Sequence, residues 1–187
     1  MWFMAPFGTL AVAAHTLGQR VERFLFMPGM GLGMGAGVLA GQNLGASQPE
    51  RAERGGWLAA GLVAGFMLIA SVAILLWPES IVRIFSPEPD LAEITSTFLR
   101  IAAAGYLMMG FNAVFRHCLS GAGDTLSPMA ISILMIWAVQ MPLAVLLPQV
   151  TNLGVYGVRW AIVAGMVTGA IAYITYFRMG RWKRKKV

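Results

Sequence analysis

A chain of 187 residues that is 58% hydrophobic and only 12% charged, with a mean hydropathy of +0.69, is too apolar for a water-soluble domain, which runs near 45–50% apolar and about 25% charged. The net charge of +6 does not point to nucleic acid, because six of the fourteen basic residues crowd into the last ten positions and read there as a membrane anchor. The single cysteine, Cys118, excludes an internal disulfide and any multi-cysteine metal centre.

The first nine residues are apolar but carry neither a charged leader nor a small-residue cleavage pattern, so they do not read as a signal peptide. The chain starts inside hydrophobic sequence, and an upstream part is expected. The first span covers residues 8–44. A continuous helix of that length reaches roughly 55 Å, more than a hydrocarbon core of about 30 Å requires. It is expected to tilt, to kink at Pro28, or to project beyond the bilayer.

The upper half of this span holds His15, Arg20, Glu22 and Arg23. At 100° per residue, His15, Gln19, Glu22, Gly29 and Gly33 share one face. Charge inside a spanning helix is costly and should face a wet cavity or a partner; the alternative is that residues 15–23 lie at the outer interface. His15, Gln19 and Glu22 are therefore candidates for a solute or ion pathway. The lower half places Gly29, Gly33, Gly37, Gly41 and Gly45 four residues apart, a ridge read here as helix packing. The GMGLGMG run is not a dinucleotide fingerprint, since no strand precedes it.

A glycine-rich loop, GQNLGASQPERA at 41–52, leads to a second span at 57–77, uncharged and bounded by Trp57 and Trp77. Indoles at both ends fit the two membrane interfaces. The acidic stretch 78–93 is expected to be a loop with a short amphipathic turn at 81–85. The third span, 94–119, contains Arg100, Tyr106, Asn112, Arg116 and His117. Asn112 lies deep in it and needs a hydrogen-bond partner, either another helix or a ligand.

A second polar loop, CLSGAGDTLSP at 118–128, joins it to the fourth span, 129–147, which carries Trp137, Gln140 and Pro142. Asp124 is expected to cap the fourth helix or order the turn, with Gly121 and Gly123 supplying backbone freedom. The fifth span, 155–177, has Arg159 near its start and a Gly165/Gly169 pair, and ends in a basic tail at 178–187. The fold class is all-α, a polytopic membrane protein of about five transmembrane helices in the plasma or inner membrane. Basic residues cluster on the side of both glycine-rich loops and the tail, which makes that side, and the C-terminus, cytoplasmic. No nucleophile–base pair or metal constellation appears, so an enzyme is not expected.

AVAAHTLGQRVERFLFMPGMGLGMGAGVLAGQNLGASQPERA resembles the eighth span and following loop of multidrug and toxic compound extrusion (MATE) transporters. LSGAGDTLSPMAIS is similar to the loop between their tenth and eleventh spans, and LGVYGVRWAIVAGMVTGAI with FRMGRWKRKKV to their last span and basic tail. The match is better to the branch resembling DNA-damage-inducible members. The resemblance implies most of one six-helix lobe of a secondary antiporter that exports cationic or amphipathic drugs in exchange for H⁺ or Na⁺, without a cofactor. It also implies that the N-terminal lobe, with the family's proton-linked aspartate, must come from another polypeptide.

The acidic position that some members carry on the tenth span falls near Met109 here, and the nearest polar residue on that face is Asn112. For the Gly121–Asp124 loop the resemblance suggests a cytoplasmic hinge. Two alternatives remain. A lipid-linked oligosaccharide flippase of the same superfamily would place Arg20, Arg23 and Arg116 in a cleft. The other is an inactive, truncated membrane protein.

Overall fold

A computed structural model describes residues 7–151 and 153–184. It contains five helical segments long and apolar enough to cross a membrane, and no strand among the described residues. Helix α1, Thr9–Gly45, runs unbroken through Pro28. Helix α2 is Pro49–Leu76, α3 is the short Pro78–Arg83, and α4 is Pro89–Gly121. Helix α5, Leu126–Leu134, continues through a π turn, Met135–Gln140, into α6, Met141–Val150, making one rod. Helix α7 is Val155–Met179, followed by a 3₁₀ turn at Arg181–Arg184.

The expected loop at 41–52 is corrected. Helix α1 persists to Gly45 and α2 begins at Pro49, so only residues 46–48 connect them. Pro49 fits the first helical turn, where its missing N–H costs nothing. Glu50 beside it favours the positive end of the helix. Hydropathy marks the stretch that can sit in lipid, and the helix extends past it into charged sequence. For the same reason α4 starts at Pro89, ahead of the apolar run at 94.

The π turn ends two residues before Pro142. A proline ring collides with the carbonyl four residues upstream, here that of Ala138. A locally widened turn removes the collision without breaking the rod.

Helix α4 is the centre of the bundle, in contact with α1, α2 and α7, while the rod packs on α7. Along the α1–α4 seam Gly33 meets Ala113, Gly37 meets His117 and Gly41 meets Gly121, so the two helices run parallel. A Cβ on Gly121 would lie 2.0 Å from the Gly37 carbonyl oxygen, which only glycine permits. Helix α2 runs antiparallel to α4 and is tied to it by Ser71, whose hydroxyl donates to the Ala103 carbonyl at 3.0 Å. Outward positions such as Leu58, Leu62 and Ile69 on α2 are exposed and apolar, as a lipid-facing surface must be.

The basic tail is not simply a free anchor. Trp182 is fully buried, its ring stacked on Phe177 at 4.7 Å and its Nε1 donating to the Phe177 carbonyl at 2.9 Å. Lys183 pairs with Glu53 of α2. The last three tail positions, 185–187, lie outside the described residues.

Candidate functional site

Three polar constellations interrupt the apolar bundle. The most buried joins α1, α4 and α7. Arg159 Nη1 lies 3.3 Å from Glu22 Oε1, and the Tyr106 hydroxyl donates to the same oxygen at 3.5 Å. The guanidinium also sits over the Phe98 ring, 5.0 Å from its centre. Gly18 makes the room, because a Cβ there would stand 2.5 Å from Arg159 Nη2. Two charges held out of water survive only as a pair. His15 is buried nearby with Nδ1 unpartnered, as are Nε and Nη2 of Arg159. Gln19 is half-buried and makes no side-chain hydrogen bond. Of the two readings open for residues 15–23, the structure gives Glu22 a partner inside the protein.

Arg159 was beyond the reach of sequence reasoning, which saw it only near the start of the last span. The available signal was Gly18, a small residue on the face shared by His15 and Glu22, but nothing local names a partner 137 residues away.

The second constellation is open. A cavity of about 240 Å³ lies between α4, the rod and α7, lined among others by Met109, Asn112, Arg116, Gln140 and Tyr173. Asn112 Nδ2 donates to the Met166 carbonyl on α7 at 2.9 Å, while its Oδ1 is buried without a partner. A second cavity of about 290 Å³ shares Met109, Ala113 and Arg116 with the first and adds Arg23 and Met27 of α1. A third of about 400 Å³ shares Arg23 and Met27 with the second and adds Arg20. No carboxylate lines any of the three, and neither His15 nor Glu22 reaches them.

The third constellation is the turn after α4. Gly123 has φ +78 with open space around its α-carbon. Asp124 is fully buried. Its Oδ1 accepts the Ser127 backbone N–H at 3.4 Å, and its Oδ2 accepts the Tyr176 hydroxyl at 2.7 Å. The Ser127 hydroxyl lies 2.9 Å from both carboxylate oxygens. Asp124 thus both caps the start of α5 and ties it to α7; only the first was legible in sequence. Gly121 lies in the seam, not free in the turn.

The remaining glycines of the ridge also face neighbours. A Cβ on Gly29 would meet Met67 and Val63 of α2, one on Gly33 would meet His117, and one on Gly37 would stand 2.6 Å from the His117 carbonyl oxygen. No group of three metal-ligating side chains occurs among the described residues.

Comparison with known proteins places these features in context. The MatE family model matches residues 1–146. Over 183 residues the chain is 28% identical to the probable multidrug resistance protein NorM of Thermotoga maritima, covering 96% of this chain and 39% of that protein. It is 32% identical over 180 residues to the protein of the same name from Bradyrhizobium diazoefficiens, covering 94% and 39%. The outward-facing structure of a multidrug resistance MATE family transporter superposes with a TM-score of 0.85 at 21% identity, over 93% of this chain and 38% of that one. The chain therefore spans about 39% of the length of these curated relatives.

Proposed function

The chain belongs to the MatE family, whose members are transporters rather than enzymes, and from that premise we propose that it forms one lobe of a secondary antiporter in the cell membrane. Its C-terminus is cytoplasmic, a complementary N-terminal lobe completes the transporter, and the exported solutes are amphipathic or cationic compounds exchanged for H⁺ or Na⁺. The observation that carries this reading is the two-sidedness of α4, sealed against α1 by glycines and open toward methionine-lined cavities. Methionine side chains adapt to varied apolar shapes, which suits a multidrug solute range.

Transport of this kind needs no covalent step. Solute and ion must bind the inward-open and outward-open states with different free energies, and that difference couples their fluxes. Glu22 is engaged by Arg159, and no carboxylate lines the described cavities, so coupling is assigned to the complementary lobe. His15, Gln19 and Asn112 remain pathway candidates of this lobe. The turn at Gly123, where the backbone is left-handed and unobstructed, is the hinge.

Dye efflux from cells lacking their own pumps tests the proposal. The chain would be expressed alone and together with a first lobe from a related transporter. Efflux only in the paired cells is expected. No efflux in either, with membrane insertion of both chains verified, would overturn the reading in favour of an inactive membrane protein.

A further inference from the structure

We propose that the open face of this lobe binds an amphipathic organic anion, with an aromatic sulfonate or carboxylate head held by Arg23 and Arg116 and an apolar body resting on methionines. This names a substrate class for the transporter reading above and rests on it.

Arg23 of α1 and Arg116 of α4 come from different helices yet line the same cavity of about 290 Å³. Both are exposed, and neither joins an ion pair among the described residues. Arg20 extends the same charge into the adjoining space through the walls shared at Arg23 and Met27. Glu22 is next to Arg23 in sequence but is turned inward onto Arg159. The trough therefore carries one sign of charge without internal compensation.

A guanidinium presents a planar fork that matches a carboxylate or sulfonate. In a membrane setting an unpaired cation gains from a counter-charge, and an organic cation entering here would meet only repulsion. The floor between the arginines is Met27, Met30, Met67 and Met109, a polarizable surface suited to flat apolar bodies. The joined cavities together fall in the size range of small-molecule clefts. A concave site of this size selects a discrete solute over the headgroup of a bulk lipid.

The test is equilibrium binding to the purified full chain in phosphatidylcholine nanodiscs. The probes are 1-anilinonaphthalene-8-sulfonate as anion and rhodamine 6G as cation. The anion is expected to bind about tenfold tighter, and Arg23→Gln or Arg116→Gln each to weaken it about tenfold, the loss of one charge-assisted hydrogen-bonding group. Arg181→Gln, outside the trough, leaves the affinity unchanged. Arg116→Glu gains affinity for rhodamine, a change that loss of fold cannot produce.

Equal or tighter binding of the cation by the unmodified chain would overturn the proposal, as would anion binding unchanged in the Arg23→Gln/Arg116→Gln double variant. So would loss of the anion when phosphatidylglycerol is added, which would assign the arginines to lipid headgroups, or when a complementary lobe is bound, which would assign them to a lobe contact. Anion binding without efflux in the paired-lobe experiment would sink the transport reading alone. Efflux of cations with no anion binding would sink this inference alone.

Discussion

Toward α1, helix α4 is packed backbone against backbone, with Gly37 and Gly121 in direct apposition and the Glu22–Arg159 pair bridging α1 and α7 above them. Toward the rod, the same helix leaves a cavity of about 240 Å³ and an Asn112 oxygen without a partner. The first side cannot slide without clashing backbones or stranding a buried charge. The second is walled by flexible methionines and by a rod already widened at its π turn, so it can repack at small cost. A lobe built in this way has a fixed wall and a yielding wall, which is what a solute cleft that changes shape requires.

The largest effect should come from breaking the buried pair. Arg159→Ala strands Glu22 and is expected to cost about 3–5 kcal/mol of stability, read as a lowered unfolding midpoint in detergent. A Glu22→Leu/Arg159→Met double variant should recover most of it. A double variant as unstable as Arg159→Ala would show that the pair is not the source.

Next is the seam. Gly121→Ala forces a Cβ onto the Gly37 carbonyl and should cost about 1–3 kcal/mol. Gly35→Ala, with nothing within 4 Å of the new Cβ, should be neutral or gain up to about 1 kcal/mol from helix propensity. Equal behaviour of the two in thermal unfolding would remove the fixed wall.

Gly123→Val sharpens the contrast in function. It places a branched side chain at φ +78 and should lower efflux by the paired lobes without lowering membrane insertion. Parallel loss of both would reduce the turn to a folding element. The smallest effect is expected on the yielding side. Asn112→Leu removes its bond to Met166 together with the unpartnered oxygen and should cost at most about 1 kcal/mol.

The span count and chain direction were legible because lipid demands long apolar helices with satisfied backbones, and 57–77 with its two tryptophans announced itself. The glycine spacing from 29 to 41 pointed to a close helix contact, though not to α4 as the neighbour. Asn112 declared its need for a partner but not which carbonyl would serve. Glu22–Arg159 and Asp124–Tyr176 stayed hidden because each joins α7 to residues far earlier in the chain, and periodicity reports only what one helix does. Trp182 stayed hidden for a different reason: the surrounding lysines and arginines mask a single aromatic that docks on Phe177.

The contrast between the two walls is tested most directly by spin-label distances in lipid nanodiscs, with the buried Cys118 replaced by alanine. Labels at Arg100 and Val38 report α4 against α1; labels at Arg100 and Ile133 report α4 against the rod. The expected result is one narrow distance for the first pair and a broad or two-peaked distribution for the second. Equal widths, or a broad distribution confined to the α1 pair, would contradict it.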